Sequence, residues 1–291
     1  MSIRSEFHQL ARSAHGSHDT VKTRHQILDR FADFLRDENI QLRHVQNIRT
    51  KDIQRYCNAQ LEHGKGVRTI QNELASIRYA LREAGRAEFA DSEAMGNKSL
   101  GISGASREGT NRALTRDEYQ QARDALEARE SYAERAALGL MYTLGLRTKE
   151  SIMSDKSLDD WGRQLERGEP VRVLYGTKGD RPRDVHIHDR EAALEAVQEA
   201  KGAMHEGHLI TGDAGTLKSA YDRLQNELRE VLPDDISPHS ARYSFAQSQV
   251  NHYRAEGYSD REAFAQASID LGHGAGRWRY IRHVYDQREN T

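Results

Sequence analysis

The chain has 291 residues, enough to bury two modest cores, with 36% hydrophobic and 30% charged residues and a formal net charge of −2. The longest apolar stretch, Ala136 to Leu146, is broken by Gly139, Thr143 and Gly145, which excludes a membrane helix of roughly 20 residues. The first residues, MSIRSEFHQL, lack a signal-peptide core, and the single cysteine, Cys57, excludes both an internal disulfide and a zinc knuckle, so a reducing cytoplasm is expected. The global charge argues weakly against nucleic acid. However, residues 1–110 carry 17 Lys+Arg against 14 Asp+Glu and residues 111–291 carry 26 against 31. Either half can still present the local basic face that attracts phosphates.

The first half reads as short amphipathic helices. In Thr20 to Asp37, the residues Ile27, Leu28, Phe31, Phe34 and Leu35 recur at helical spacing. Ile53, Tyr56, Cys57 and Leu61 form a second stripe, with Thr50 as the expected N-cap, and Ile70, Leu74, Ile77 and Leu81 form a third. The opposite face of this third helix, with Arg68, Gln71, Asn72, Arg78 and Arg82, reads first as a solvated surface and only secondarily as a DNA contact. From Asp91 to Arg112, glycines and serines alternate with few large apolar residues, the composition of an interdomain linker.

A second domain is expected to begin where Thr115 and Glu118 form a capping box ahead of a helix through Arg129. Ala133 to Leu144 is an apolar helix that Gly145 should stop, leaving Arg147 just past its end. Val171 to Tyr175 and Val185 to His188 read as the strands of a hairpin. Lys178 would lie at its turn, Val185 and Ile187 on one face, and His186 and His188 on the other. Ser237 and Pro238 read as N-cap and first-turn residues, which puts His239 in the first turn of a helix and Arg242 on the same face. Ser259 and Glu262 form another capping box, opening a helix that should end near Gly272 and deliver His273.

Singly, these residues are ordinary. An Arg after a helix-ending Gly and a Lys in a hairpin turn are usually surface groups. His239 with Arg242 is sharper, because a helix N-terminus favours an anion and an Arg one turn on adds a bidentate fork. His186, His188, His205 and His208 raise a metal site, but they lack accompanying carboxylates at a convincing spacing, and exposed histidines are the simpler reading. Their order carries more. Gly-Leu-Arg-Thr-Lys-Glu (145–150), the lysine of Gly-Thr-Lys-Gly-Asp (176–180), His-Ser-Ala-Arg-Tyr-Ser-Phe-Ala (239–246), Leu-Gly-His (271–273) and a C-terminal tyrosine together resemble the tyrosine recombinase, or phage integrase, family.

The resemblance spans the catalytic half, and the first half looks like the family's helical core-binding domain, with no separate arm-binding domain expected ahead of it. The implied fold is mainly α in two domains: a helical domain over 1–90, a linker over 91–112, and a mixed α+β catalytic domain with a small antiparallel sheet over 113–291. The implied activity is site-specific cleavage and rejoining of double-stranded DNA through a 3′-phosphotyrosine, for a mobile element in a bacterial or phage-encoded system. The two domains would clamp the duplex, and four protomers would assemble on paired sites. Arg147 and Arg242 would cradle the phosphate and His273 donate to it, Lys178 would protonate the leaving 5′ oxygen, and His239 would position or accept the tyrosine proton. No metal or ATP is required, since the covalent link preserves the bond energy. A type IB topoisomerase, a catalytically inactive integrase-like DNA-binding protein and a metal-dependent hydrolase are the alternatives. The interval from His273 to Tyr285 is longer than the family pattern, so Tyr280 stays open beside the preferred nucleophile, Tyr285. Only Asp286 to Thr291 follow, too few for a long docking helix.

Overall fold

The structure, a computed structural model, describes residues 2–13, 18–105 and 112–285, and the chain divides into two compact units, Met1–Ser106 and Arg107–Thr291. Among the described residues no helix is long and apolar enough to cross a membrane.

The first unit is built from α1 (Ile3–Ser13), α2 (His18–Asp37), α3 (Thr50–Glu62), α4 (Val67–Glu83) and the short α5 (Ala87–Asp91). The predicted stripes face one core, where Phe31, Leu35, Ile53, Tyr56, Leu74 and Ile77 are buried, while Phe34 and Leu61 pack only partly buried at its edge. Thr50 is the first helical residue and not the cap. The cap is Arg49, whose backbone N–H donates to the Asp52 carboxylate at 2.9 Å, the acid three residues on reaching back to satisfy the N-cap donor. The buried carboxylate of Glu73 is satisfied by the Tyr56 hydroxyl at 2.9 Å, Lys65 Nζ at 3.0 Å and Arg30 Nη2 at 3.0 Å.

The polar face of α4 is not simply solvated. Arg78 donates to the Met95 carbonyl and the Asn97 side chain, Gln71 Nε2 to the Ile102 carbonyl at 2.7 Å, and Arg82 Nε to Asp91 at 3.0 Å. These bonds fasten the glycine-rich stretch after Asp91 to the first unit, where its sparse apolar residues Met95, Leu100 and Ile102 are fully buried. The stretch that composition marks as linker from Asp91 therefore begins as part of this unit. Residues 106–111 lie outside the described residues.

The second unit contains α6 (Arg116–Ala128), α7 (Tyr132–Thr143), α8 (Thr148–Ile152), α9 (Leu158–Arg167), β1 (Val171–Val173), β2 (Arg183–Val185), α10 (Arg190–Ala203), α11 (Leu217–Val231), α12 (Ser240–Ala255), α13 (Asp260–Asp270) and α14 (Trp278–Tyr285). The apolar α7 is central and packs against α6, α8, α10, α11 and α12. The Thr115/Glu118 and Ser259/Glu262 capping boxes are both formed. β1 and β2 pair antiparallel, Val171 opposite Val185 and Val173 opposite Arg183. The ladder is shorter than the apolar pattern suggests because the N–H of His186 donates to the Asp270 carboxylate at 3.1 Å, and Leu174 and Tyr175 turn outward. α12 also starts later than its Ser-Pro signal implies. Ser240 N–H donates to Ser237 O at 2.8 Å in a turn, so His239 becomes the N-cap and the first-turn position passes to Ser240.

Candidate active site

The six candidate residues come from separate stretches of the second unit. Gly145 (φ +62°) ends α7 by reversing the chain, and a Cβ there would lie 2.3 Å from Phe245 Cδ1, so both backbone and packing demand glycine. That reversal places Arg147 at the N-cap of α8. Its own N–H donates to Glu150 Oε2 at 2.7 Å, its Nη1 to Glu150 Oε1 at 2.7 Å and its Nη2 to the Leu271 carbonyl at 3.2 Å. Arg242, in the first turn of α12, is fully buried and donates from Nη1 to the Gly145 carbonyl and from Nη2 to the Leu271 carbonyl. Its Nε has no hydrogen-bond partner among the described residues.

His273 arrives through the Schellman ending of α13: Gly272 (φ +70°) donates its N–H to Ile269 O at 2.7 Å, and His273 donates its own to Ser268 O at 2.8 Å. Lys178 stands in the hairpin turn, where Gly179 is left-handed at φ +70°. Arg147, Lys178 and His273 line one open cavity of about 510 Å³, together with Arg181, Arg183 and Arg277. A cavity walled by this much positive charge suits a phosphate.

Burial beside these cations sets the protonation states. His239 is driven down to about 4, by burial first and then by the charges of Arg242 and Arg147. His273 falls to about 4 through burial and the charges of Arg242, Arg147, Arg277 and Arg183. Both imidazoles are therefore neutral at pH 7, each holding one N–H donor and one acceptor nitrogen. Burial also pulls Arg242 down to about 9, with Arg183 and Arg147 adding to the effect and Tyr285 and Glu150 opposing it, which leaves it cationic at neutral pH.

Of the two tyrosines, Tyr285 is 4% exposed, packs at a tilt against Tyr243 with ring centroids 4.3 Å apart, and has its carbonyl held by Gln247 Nε2 at 2.9 Å. Tyr243 also meets the His239 ring edge-on at 5.5 Å. Tyr280 is half-buried, its ring 5.9 Å from that of His273. Residues 286–291 lie outside the described residues. The four histidines raised as metal ligands have other partners, and His205 and His208 meet only through a backbone bridge. His186 bonds Asp270 at 3.0 Å, His188 bonds Gln249 and Ser248, and His208 bonds Asp155 at 2.9 Å. Among the described residues no group of three or more His, Cys, Asp or Glu is placed to hold a metal ion.

Three residues beneath the cavity were not assigned roles on sequence grounds. Glu150 is buried and is driven down to about 2; burial opposes its ionisation, but the hydrogen bond and charge of Arg183 and the charges of Arg242 and Arg147 outweigh it. Arg183 is 8% exposed and lies on the inward face of β2 with Val185. Asp270 is buried and accepts from Tyr253 Oη at 2.8 Å and Gln249 Nε2 at 2.9 Å. The alternation of the hairpin could have flagged Arg183, since it puts a charge on the same face as Val185.

A family model described as "Integrase" matches residues 101–248 and one described as "Phage integrase, N-terminal" matches residues 1–90, so the chain belongs to the phage integrase family. The integrase of transposon Tn1549, solved in complex with transposon right-end DNA, is similar over 100% of this chain and 96% of its own at 16% identity and TM-score 0.67. A lambda integrase tetramer bound to a Holliday junction is similar over 99% of this chain and 78% of its own, at 16% identity and TM-score 0.65. Lambda integrase residues 75–356 bound to DNA match over 100% of both chains at 16% identity and TM-score 0.60. At these identities the likeness is one of fold. No curated protein sequence matches the chain.

Proposed function

We propose that this site-specific recombinase cuts and rejoins duplex DNA through a 3′-phosphotyrosine on Tyr285, acting for a mobile element. The observation that carries the reading is the convergence of Arg147 and Arg242 on the turn that presents His273, beside a cavity lined by Lys178. Two permanently charged forks suit the nonbridging oxygens of a phosphodiester, whose charge grows in the transition state. Neutral His273 donates its N–H to the same oxygens, and neutral His239 accepts the phenol proton. The Tyr285 oxygen bonds to phosphorus, the bond to the 5′ oxygen breaks, and Lys178 delivers a proton to that oxygen. Attack by a 5′-hydroxyl of the partner strand reverses these steps and releases the tyrosine. The phosphodiester energy is conserved throughout, so no nucleotide is consumed.

In this reading residues 1–90 form the core-binding domain, residues 113–291 the catalytic domain, and four protomers assemble on paired sites, as the lambda integrase tetramer does on its junction. The experiment is covalent capture in excess EDTA. Nicked duplexes tiling the DNA that flanks the gene let a short leaving fragment diffuse away, and a denaturing gel should show protein–DNA adduct. Strict dependence on a divalent metal would return the reading to a hydrolase.

A further inference from the structure

Arg183, at the wall of the cavity, spends its guanidinium on other protein groups. Its Nη1 and Nη2 grip the two oxygens of Glu150 at 2.5 and 2.7 Å, Nε donates to the Asp270 carbonyl at 3.0 Å, and Nη2 also reaches the Gly145 carbonyl at 3.4 Å. The same two carboxylate oxygens receive the Nη1 and backbone N–H of Arg147, each at 2.7 Å. One buried anion therefore lies between two guanidiniums that both line the cavity, Arg183 nearly buried and Arg147 more open, with side-chain exposures of 5% and 23%. The Arg183 stem also lies under the His273 turn, where a Cβ on Gly272 would come within 2.8 Å of its Cδ.

The charge balance decides what this arrangement does. Glu150 paired with Arg147 alone would form a neutral couple facing the cavity, and the phosphate would meet no net charge from it. With Arg183 also holding the carboxylate, the trio keeps one positive charge, and Arg147 is its more exposed member at the cavity. We propose that Arg183 is a positioning residue for strand cleavage: it occupies Glu150 so that the charge and remaining N–H groups of Arg147 are turned toward the scissile phosphate. This rests on the recombinase reading above.

The test compares three duplexes of the captured sequence: an ordinary scissile phosphate, a 5′-bridging phosphorothiolate whose sulfur leaves without a proton, and an uncharged methylphosphonate. Single-turnover adduct formation and Kd are measured for wild type, Arg183→Met, Arg183→Lys and Arg183→Met/Glu150→Gln. Arg183→Met should slow cleavage about 10- to 100-fold on the first two substrates, the range for groups that orient a primary ligand, with Kd little changed. On the methylphosphonate, where there is less charge to cradle, the penalty should shrink to within a few-fold. Removing the Glu150 charge in the double variant should recover most of the loss, a coupling that independent sites do not show. Arg183→Lys keeps the charge but not the fork, and should show a smaller penalty with the same substrate pattern; it carries the comparison if the Met variant does not fold. Relief by the phosphorothiolate instead would mean that Arg183 acts on Lys178 through the hairpin, and an equal penalty on all three substrates that it only supports the fold; either overturns the proposal. A wild-type protein that forms no adduct on any substrate removes the recombinase reading, and this inference with it.

Discussion

Arg147 and Arg242 donate to the same acceptor, the carbonyl oxygen of Leu271, the first from Nη2 at 3.2 Å and the second from its own Nη2. Two cations that repel each other are held together by one backbone oxygen, and the next residues of that backbone are Gly272 and His273. Each fork has its planar geometry fixed by a carbonyl on one edge, which a lysine ammonium cannot reproduce. Arg147→Lys and Arg242→Lys are each expected to lower cleavage by at least about 100-fold, the loss for one preorganised transition-state donor, with a much smaller loss in a gel-shift assay. Parallel losses of binding and cleavage would reduce the two to phosphate positioning.

Lys178 stands at the tip of a hairpin whose strands are short, and it lines the cavity together with Arg147, Arg181, Arg183, His273 and Arg277. As the proton donor to the 5′ oxygen, it is dispensable when the leaving atom needs no proton. Lys178→Ala should therefore be slow on an ordinary phosphodiester and close to wild type on the 5′-bridging phosphorothiolate. Persistent slowness on the sulfur substrate would assign the proton to another group.

Neutral histidines at a cationic site leave a mark on stability. The folded-state values of His239 and His273 lie at about 4, below the ordinary 6.5, so the unfolded chain takes up protons first as the pH falls. The stability they contribute is complete above pH 6.5 and is lost from there down toward pH 4. The slope is at most about 1.4 kcal/mol per pH unit for each group, less for solvent screening at partly exposed rings. Thermal unfolding of the DNA-free protein should drop over pH 6.5 to 5, before most carboxylates titrate, and His239→Gln should flatten the drop. An equal slope in the two proteins would refute a neutral, half-buried His239.

What could be read from the sequence was whatever local chemistry decides. Thr115 with Glu118 and Ser259 with Glu262 form their caps through groups three residues apart, and Gly145 and Gly272 end their helices through left-handed backbone. The mainly helical fold and the order of the motifs followed from such signals. The hairpin's true length and the start of α12 did not, because they depend on Asp270 and on a Ser237–Ser240 turn that intrinsic pattern does not encode. Glu150 and Asp270 were missed because their importance lies in contacts with Arg183, 33 and 87 residues away in sequence, while Arg183 itself was signalled only by a charge on the inward face of the hairpin. The polar face of α4, which pattern alone assigns to solvent, proved to be the anchor of the stretch after Asp91.

The nucleophile is where sequence was least decisive, and α14 sharpens the choice. Tyr280 and Tyr285 are five residues apart on one helix, which rotates them by roughly 140° past a full turn, so they cannot present their hydroxyls in one direction. Tyr280 turns to the His273 ring at 5.9 Å. Tyr285 is the more deeply buried, packs on Tyr243, whose ring also meets that of His239, and is electrostatically coupled to Arg242. A phenol that must lose a proton and attack phosphorus is better served by a guanidinium and an accepting imidazole than by contact with the phosphate's own hydrogen-bond donor. Gly274, at φ +75°, and the 3-10 turn Ala275–Arg277 take up the long interval between His273 and α14. Tyr285→Phe is therefore expected to abolish the covalent adduct while leaving site binding intact, and Tyr280→Phe to keep adduct formation within about tenfold, roughly 1.4 kcal/mol of barrier. Peptide mapping of the DNA-linked fragment decides between them, and a nucleotide found on Tyr280 would transfer the role to that residue.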